Sequence, residues 1–216
     1  MVFAVYWALP HKFRSIALLV SSYVFYGCWN PAYLILLFGL TTTTYFFSLA
    51  ISRIGHHRKA MLVFSILVSF GSLVYFKYLD LFGQSANGLF ALLGIPVFVP
   101  IFNILLPIGI SFQTFQNVGY LIDVYRGTIP PEKNFLRYAL FISYFPQLVA
   151  GPIERASNLL PQLAQEHTFS YSQTALGLRM MLVGFFKKIA VADTVAIYVD
   201  AVYGDLGGGS LAAPLS

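Results

Sequence analysis

The chain has 216 residues, of which only 10% are charged, whereas 58% are hydrophobic and 17% aromatic, and its formal net charge is +5. Soluble proteins carry about 25% charged residues, so this composition excludes a soluble globular protein. The abundant aromatic residues exclude a disordered chain, and the single cysteine, Cys28, excludes a disulfide scaffold.

The charged residues are clustered at the ends of long apolar runs. None occurs within residues 15–52, 60–76 or 81–122. Because about 20 apolar residues span a bilayer as a helix, these runs predict an all-α, polytopic transmembrane protein. The basic residues flank the runs, where they set membrane orientation and contact anionic headgroups, so the positive charge does not indicate nucleic-acid binding.

The first predicted element is a helical hairpin over residues 15–52. Its turn lies at Trp29-Asn30-Pro31, because proline disfavours helix in the residue before it. A further helix is predicted over 60–78. Basic residues precede and follow the hairpin: Lys12, Arg14, Arg53, Arg58 and Lys59. Both groups are therefore expected in the cytoplasm, with the turn outside.

The second half is predicted to contain interrupted helices. Glycines and prolines break residues 84–107 into runs too short to cross a membrane, which indicates a shallow or re-entrant segment. A continuous helix follows over 108–126. Residues 135–161 form a second broken, re-entrant segment, interrupted at Gly151-Pro152. Helices over 172–188 and 189–203 come last, and the spacing of Ser170 and Gln173 predicts a capping box.

One face of the 108–126 helix carries a polar stripe. Its members, at helical spacing, are Gln113, Gln116, Asn117, Tyr120 and Asp123. Polar side chains cannot face hydrocarbon cheaply, so the stripe lines a cavity or forms hydrogen bonds between helices. Asp123 is also three residues from Arg126, a spacing that allows an ion pair.

A second group of candidate functional residues lies at the interruption over 145–155. It includes Gln147, Gly151, Pro152, Glu154 and Arg155. With Gly151 as helix N-cap and Pro152 as the first helical residue, free backbone N–H groups would favour an anion or a developing oxyanion. The alternative is a structural kink with two interface charges.

The remaining ionisable residues form no catalytic arrangement. Arg179 lies in an apolar run and is either a residue that extends to the interface or an internal charge. His11, His56, His57 and His167 all lie in polar stretches. Their pattern matches neither a nucleophile with a base nor a metal-ligand cluster, so no catalytic residue and no metal site is predicted.

Several motifs together resemble the membrane-bound O-acyltransferase family, in particular its bacterial alginate O-acetylation and teichoic-acid D-alanyl transferase branch. They run through nearly the whole chain: Leu-Pro at 9–10, Ser-Tyr-Val-Phe-Tyr at 22–26, Phe-Lys-Tyr at 76–78, Leu-Pro-Ile-Gly-Ile-Ser-Phe at 106–112, Thr-Phe-Gln at 114–116, Tyr-Leu-Ile-Asp-Val-Tyr-Arg-Gly at 120–127, Phe-Pro-Gln-Leu-Val-Ala-Gly-Pro-Ile-Glu-Arg at 145–155, and Phe-Phe-Lys-Lys-Ile-Ala-Val-Ala-Asp at 185–193.

The resemblance implies transfer of an acyl group, most simply acetyl, to hydroxyls of an exported polysaccharide such as alginate, by a multi-pass protein of the bacterial inner membrane. The donor, an acetyl thioester or an acyl carrier, stays open, and no bound cofactor is expected. Expected partners are membrane lipids, the polysaccharide acceptor and other proteins of an acetylation complex. The polar stripe and the 145–155 break would then form walls of a substrate tunnel.

Two features depart from the family pattern. Gln113 occupies a position that is usually aromatic, and none of the four histidines has the context of the family's membrane histidine, which is expected beyond residue 216. The resemblance therefore implies the N-terminal part of a longer enzyme, inactive by itself. Two other functions fit the same interrupted helices: a transporter or channel, and a non-catalytic scaffold of an acetylation complex.

Overall fold

The computed structural model describes residues 1–55, 57–102 and 106–207. These residues form helices and no strand, so the all-α prediction is confirmed. The chain divides into two units, residues 1–167 and 168–216. The helices of the first unit are α1 (Val2–Ala8), α2 (His11–Trp29), α3 (Ala32–Arg53), α4 (Arg58–Leu92), α5 (Ile110–Arg126), α6 (Phe135–Ser143), α7 (Phe145–Ala150) and α8 (Ala156–Ala164).

The core of the first unit lies between α3, α5 and α6. Helix α3 contacts α2, α4, α5 and α6, while α6 also contacts α8. Although α6 is short, all its residues from Tyr138 to Ser143 are buried. The rings of Tyr120 and Tyr138 lie 4.8 Å apart at the centre, and Tyr45 lies 5.8 Å from Tyr138. Aromatic pairs at such distances contribute beyond their buried area.

Arg58 joins three helices at one end of the unit. From the first turn of α4, its Nε donates to the Ile51 carbonyl of α3 at 3.1 Å and its Nη2 to the Tyr125 carbonyl of α5 at 2.8 Å. Both acceptors are C-terminal carbonyls, which lack helical partners. The basic C-terminal ends of α3 and α5 therefore meet at the start of α4.

The prediction that the third helix ends at Tyr78 and that 84–107 is broken throughout is wrong. Helix α4 continues to Leu92, because Gly88 is only weakly unfavourable within a long helix. Gly94, at φ +68°, follows the end of the helix. The next residues run back beside α4: Asn87 binds both backbone groups of Val99, at 2.7 and 2.9 Å, and Asp80 accepts from the Phe102 N–H at 2.9 Å.

The predicted broken segment 135–161 consists of α6, α7 and α8, with one break more than the prediction placed there. Tyr144 separates α6 from α7, and the Ser22 hydroxyl of α2 accepts from the Phe145 N–H at 3.2 Å across that break. The second break covers 151–155. Pro161 does not end the segment, because α8 includes it and continues to Ala164.

In the second unit, α9 (Tyr171–Phe186), a π-helical turn (Lys187–Ala192) and α10 (Asp193–Gly207) follow one another directly. The prediction of separate helices over 172–188 and 189–203 is therefore wrong, since no residue type there breaks a helix. The predicted cap is confirmed: the Ser170 hydroxyl accepts from the Gln173 N–H. No residue from 171 to 204 is buried.

Two of the described helices, α3 and α4, are long and apolar enough to cross a membrane. Their outer surfaces carry large apolar side chains. Ile35 is 79% exposed, and Leu67 is 63% exposed. Apolar surface on this scale is typical of a protein that contacts lipid or another protein.

Candidate functional site

The polar stripe of α5 faces the core of the first unit. Gln113, Gln116, Asn117 and Tyr120 are buried, while Asp123 is half-buried near the C-terminal end. Gly109, at φ +72°, precedes α5, and a Cβ there would lie 2.9 Å from the Leu148 carbonyl oxygen. The lack of a side chain at Gly109 therefore lets the start of α5 lie close to the backbone of α7.

The buried members of the stripe make hydrogen bonds to neighbouring helices. Gln113 donates to the Leu37 carbonyl at 3.4 Å, and Gln116 to the Phe141 carbonyl at 3.0 Å. The Asn117 Oδ1 accepts from the Tyr138 hydroxyl at 3.0 Å. These contacts favour the interhelical alternative for Gln113 and Asn117, because such bonds satisfy polar groups that lipid cannot.

Tyr120 links the stripe to the loop before α6. Its hydroxyl donates to the Ser48 hydroxyl at 3.2 Å and accepts from the Glu132 N–H at 2.8 Å. The side chain of Glu132 in turn binds Arg137 at 3.2 Å. This chain of hydrogen bonds fixes the C-terminal half of α5 relative to α3 and α6.

A cavity of about 310 Å³ lies where the C-terminal part of the stripe meets the break at 151–155. Its lining includes residues from both polar groups that were predicted from the sequence, the stripe of α5 and the 145–155 interruption. The lining residues are Phe115, Gln116, Gly119, Tyr120, Ile122, Asp123, Arg126, Ile153, Glu154, Arg155 and Ala156. Gln113, Asn117, Gln147, Gly151 and Pro152 do not line it. Gln113 and Asn117 thus only join helices, whereas Gln116 and Tyr120 join helices and also border the cavity.

Two carboxylates and two guanidinium groups surround this cavity. Asp123 and Glu154 are half-buried, while Arg126 and Arg155 are exposed. Among the described residues, no ion pair joins Asp123 to Arg126. The Glu154 carboxylate accepts a hydrogen bond from the Asn158 side-chain amide at 2.8 Å. The cavity therefore presents both signs of charge beside the apolar side chains of Phe115 and Ile153.

The predicted helix N-terminus at Gly151 is wrong. Gly151 follows the C-terminal end of α7 in an extended conformation, and α8 begins only at Ala156, after Arg155. Pro152 therefore lies in the extended stretch rather than in a first helical turn. Since the end of a helix presents carbonyls rather than N–H groups, Gly151 offers no oxyanion site of the predicted kind.

Gln147 holds the break in place. Its side-chain amide donates to the Pro152 carbonyl at 3.1 Å, and the Gln147 carbonyl accepts from the Gly151 N–H at 3.1 Å. A Cβ on Gly151 would lie 2.7 Å from the Gln147 Cα, so only glycine fits there without movement of the backbone. Gln147 and Gly151 thus shape the segment that carries Glu154 and Arg155 to the cavity.

Three supporting residues were not predicted from the sequence. Ser22 caps α7, Tyr138 binds Asn117, and Arg58 holds the C-terminal end of α5. Each contact joins residues at least 21 positions apart. A serine or tyrosine within an apolar run gives no sign of such a distant partner.

The chain is similar to several curated bacterial proteins. It is 37% identical over 198 residues to the probable alginate O-acetylase AlgI of Pseudomonas aeruginosa, an alignment that covers 90% of this chain and 38% of the relative. It is 32% identical to the peptidoglycan O-acetyltransferase of Helicobacter pylori, covering 87% of this chain and 40% of the relative. Resemblance to the bacterial membrane O-acyltransferases is thereby confirmed.

A more distant match is the teichoic acid D-alanyltransferase of Bacillus subtilis, 25% identical over 101 residues, which cover 46% of this chain and 26% of the relative. No family model matches the chain, and no solved structure matches it. The chain spans about two fifths of the length of the alginate O-acetylase relatives. The alignment with the probable alginate O-acetylase of Pseudomonas aeruginosa includes most of the first unit and extends into the second, because it covers 90% of the chain.

Proposed function

We propose that the protein is a membrane O-acyltransferase that moves an acyl group, most simply acetyl, to hydroxyls of an exported polysaccharide such as alginate. The similarity to alginate O-acetylases over 90% of this chain carries the proposal. The acyl donor is a thioester, either small or attached to an acyl carrier, and other acetylation proteins assemble with the enzyme.

The cavity between α5 and the break is the part of this chain that we assign to substrate passage. Its two carboxylates and two guanidinium groups suit a polar ligand, and its apolar side chains exclude part of the surrounding water. Gln116, Tyr120 and Asp123 form one wall and Glu154 and Arg155 the other, while Gln113, Asn117, Gln147, Gly151 and Pro152 support these walls. No catalytic base is assigned within these residues.

We further propose that the protein crosses the bacterial inner membrane several times. Support comes from the two long apolar helices and from Arg58, which brings the basic ends of α3 and α5 together on one side. The loops around Lys12 and at 53–59 then lie in the cytoplasm, and Asn30 lies outside.

Cysteine labelling tests this orientation. After Cys28 is replaced by alanine, a cysteine at Asn30 should react with an impermeant thiol reagent in intact cells, whereas one at His57 should react only after permeabilisation. The opposite pattern would show that the orientation is inverted.

The proposed activity is tested with the protein expressed from its complete coding sequence in a host that makes an unacetylated polymer. Polymer-bound O-acetyl groups should appear only when the protein is present. Gly151→Leu should lower acetylation by about 10²-fold, because displacement of the break by an ångström misplaces the cavity wall. Gln147→Ala should lower it less, and Gln165→Ala, outside this cavity, should not.

Two outcomes contradict the proposal. Export of polymer or solute without ester formation would identify a transporter or channel. A scaffold would be identified if polymer acetylation requires the protein but is unchanged by both Gly151→Leu and Gln147→Ala.

A further inference from the structure

A second cavity, of about 370 Å³, lies within the first unit, apart from the site described above. Its walls come from the two ends of that unit, namely α1 with the start of α2, and Tyr144 to His167. The volume falls within the range of about 300 to 1,000 Å³ that is common for small-molecule sites. No residue of the substrate-passage cavity lines it.

One end of this cavity carries polar and basic groups. His11 Nε2 contacts the Gln165 carbonyl at 3.1 Å, and its Nδ1 lies 3.4 Å from the Glu166 carboxylate. His167 Nε2 contacts the Gln162 carbonyl at 2.8 Å. Arg14 contributes the permanent positive charge of this group.

Arg14 is held in a fixed position. Its Nε donates to the Leu9 carbonyl at 3.0 Å and its Nη1 to the His167 carbonyl at 2.7 Å. Its guanidinium carbon lies 5.2 Å from the Tyr6 ring centroid and 4.8 Å from that of Trp7. Its Nη2 makes no hydrogen bond with any residue that the structure describes, so donors remain for a ligand oxygen. A guanidinium placed in this way binds phosphate oxygens strongly.

The remainder of the cavity is mainly apolar and aromatic. Its wall includes Phe3, Trp7, Leu18, Phe145, Leu159 and Leu163. An apolar wall with a cationic group at one end matches an amphiphile that has a negatively charged head. By the proposed orientation, Arg14 lies at the cytoplasmic interface, where anionic lipid headgroups also lie.

We propose that this cavity binds one anionic phospholipid, with the phosphate on Arg14 between His11 and His167 and an acyl chain along the wall of Trp7, Leu18 and Phe145. This inference rests on the proposed membrane location and not on acyl transfer. The lipid would join the N-terminal helices to the 156–167 segment, alongside the direct bonds from Arg14 and His11.

The test uses the protein purified in detergent from its complete coding sequence. Native mass spectrometry should detect one retained phosphatidylglycerol, and added phosphatidylglycerol should raise the melting temperature more than phosphatidylcholine does. Glycerol 3-phosphate should not reproduce the shift, which separates a lipid site from a site for free phosphate.

Variants with matched controls locate the site. Gln165→Glu adds a negative charge at the basic end and leaves the backbone carbonyl that His11 contacts, so it should weaken phosphatidylglycerol binding about tenfold, the loss of roughly one charge-assisted contact. Gln84→Glu, the same exchange on the exposed surface of α4, should not. Leu163→Trp should block the apolar wall with charge unchanged, whereas Leu67→Trp should not affect binding.

Equal shifts with phosphatidylglycerol and phosphatidylcholine, or unchanged binding in both Gln165→Glu and Leu163→Trp, would overturn the lipid proposal. Failure of polymer acetylation in the earlier experiment would leave this lipid measurement unaffected. The inverted cysteine-labelling pattern would place Arg14 on the outer side of the membrane and would overturn a site for a cytoplasmic-leaflet lipid, while it would not bear on acyl transfer.

Discussion

Helix α5 buries polar side chains, whereas the helical run over 171–207 exposes apolar ones. In α5, Gln113 is 1% exposed and Asn117 is fully buried, whereas in the second unit Leu182 and Ile197 are each 69% exposed. In water this arrangement would be unfavourable, because apolar surface would remain hydrated. In lipid it is expected, since apolar side chains lose nothing at the surface and polar groups require partners inside.

The largest effect is expected from a charged substitution on the exposed apolar surface of the second unit, if that surface contacts lipid. Leu182→Lys should lower membrane association of the second unit, because a lysine side chain placed in the hydrocarbon core costs about 2.5 to 3.5 kcal/mol. Thr174→Lys, in the first turn of α9, should cost much less. The fraction of protein recovered in the membrane after alkaline extraction measures both. Equal recovery of the two variants would show that this surface does not contact lipid.

The next effect concerns the start of α5. Gly109→Ala should lower the free energy of unfolding by at least about 1 to 2 kcal/mol, because a side chain disfavours the positive φ and would approach the Leu148 carbonyl. Gly119→Ala has open space around its Cβ and should raise helix stability by up to about 1 kcal/mol. Denaturation in mixed micelles compares the two, and a loss of stability in Gly119→Ala would contradict this packing.

Buried polar contacts of the stripe should each contribute modestly. Gln116→Leu removes the bond to the Phe141 carbonyl and should destabilise the protein by about 0.6 to 2 kcal/mol. Asp123→Asn, half-buried beside the cavity, should leave stability nearly unchanged while it lowers acetyl transfer. If Asp123→Asn instead destabilises the fold and spares transfer, Asp123 is structural and the cavity assignment fails.

The smallest effect belongs to the cap of α9. Ser170→Ala should cost about 1 kcal/mol, because the Gln173 N–H loses its side-chain acceptor. Ser172→Ala removes the 3.0 Å contact between the Ser172 and Ser170 hydroxyls but leaves the Ser170 acceptor for the Gln173 N–H, so it should cost less. Hydrogen exchange at Gln173 and Thr174 distinguishes them, and equal protection in both variants would exclude a role for the cap.

Local features were predicted well from the sequence. The turn near Pro31, the end of α5 at Arg126 and the cap at Ser170 depend on residues within a few positions of one another. The errors arose where a local signal was overridden. Gly88 did not interrupt α4, because one glycine is only weakly unfavourable within a long helix. Gly151 followed a helix instead of starting one, and the Gln147 side chain binds the extended stretch after it.

By itself the sequence determined the helical class, the apolar runs, the family resemblance and the presence of a polar face on α5. Only the tertiary structure showed that Gln113 and Asn117 contact other helices away from the cavity. Gln116 and Tyr120 make such contacts and also line the cavity, together with Asp123. Periodicity fixes the direction of a side chain on its own helix, whereas its partner depends on which helix packs opposite. For Asn117 and Tyr138 that partner lies 21 residues away, beyond the reach of any local pattern.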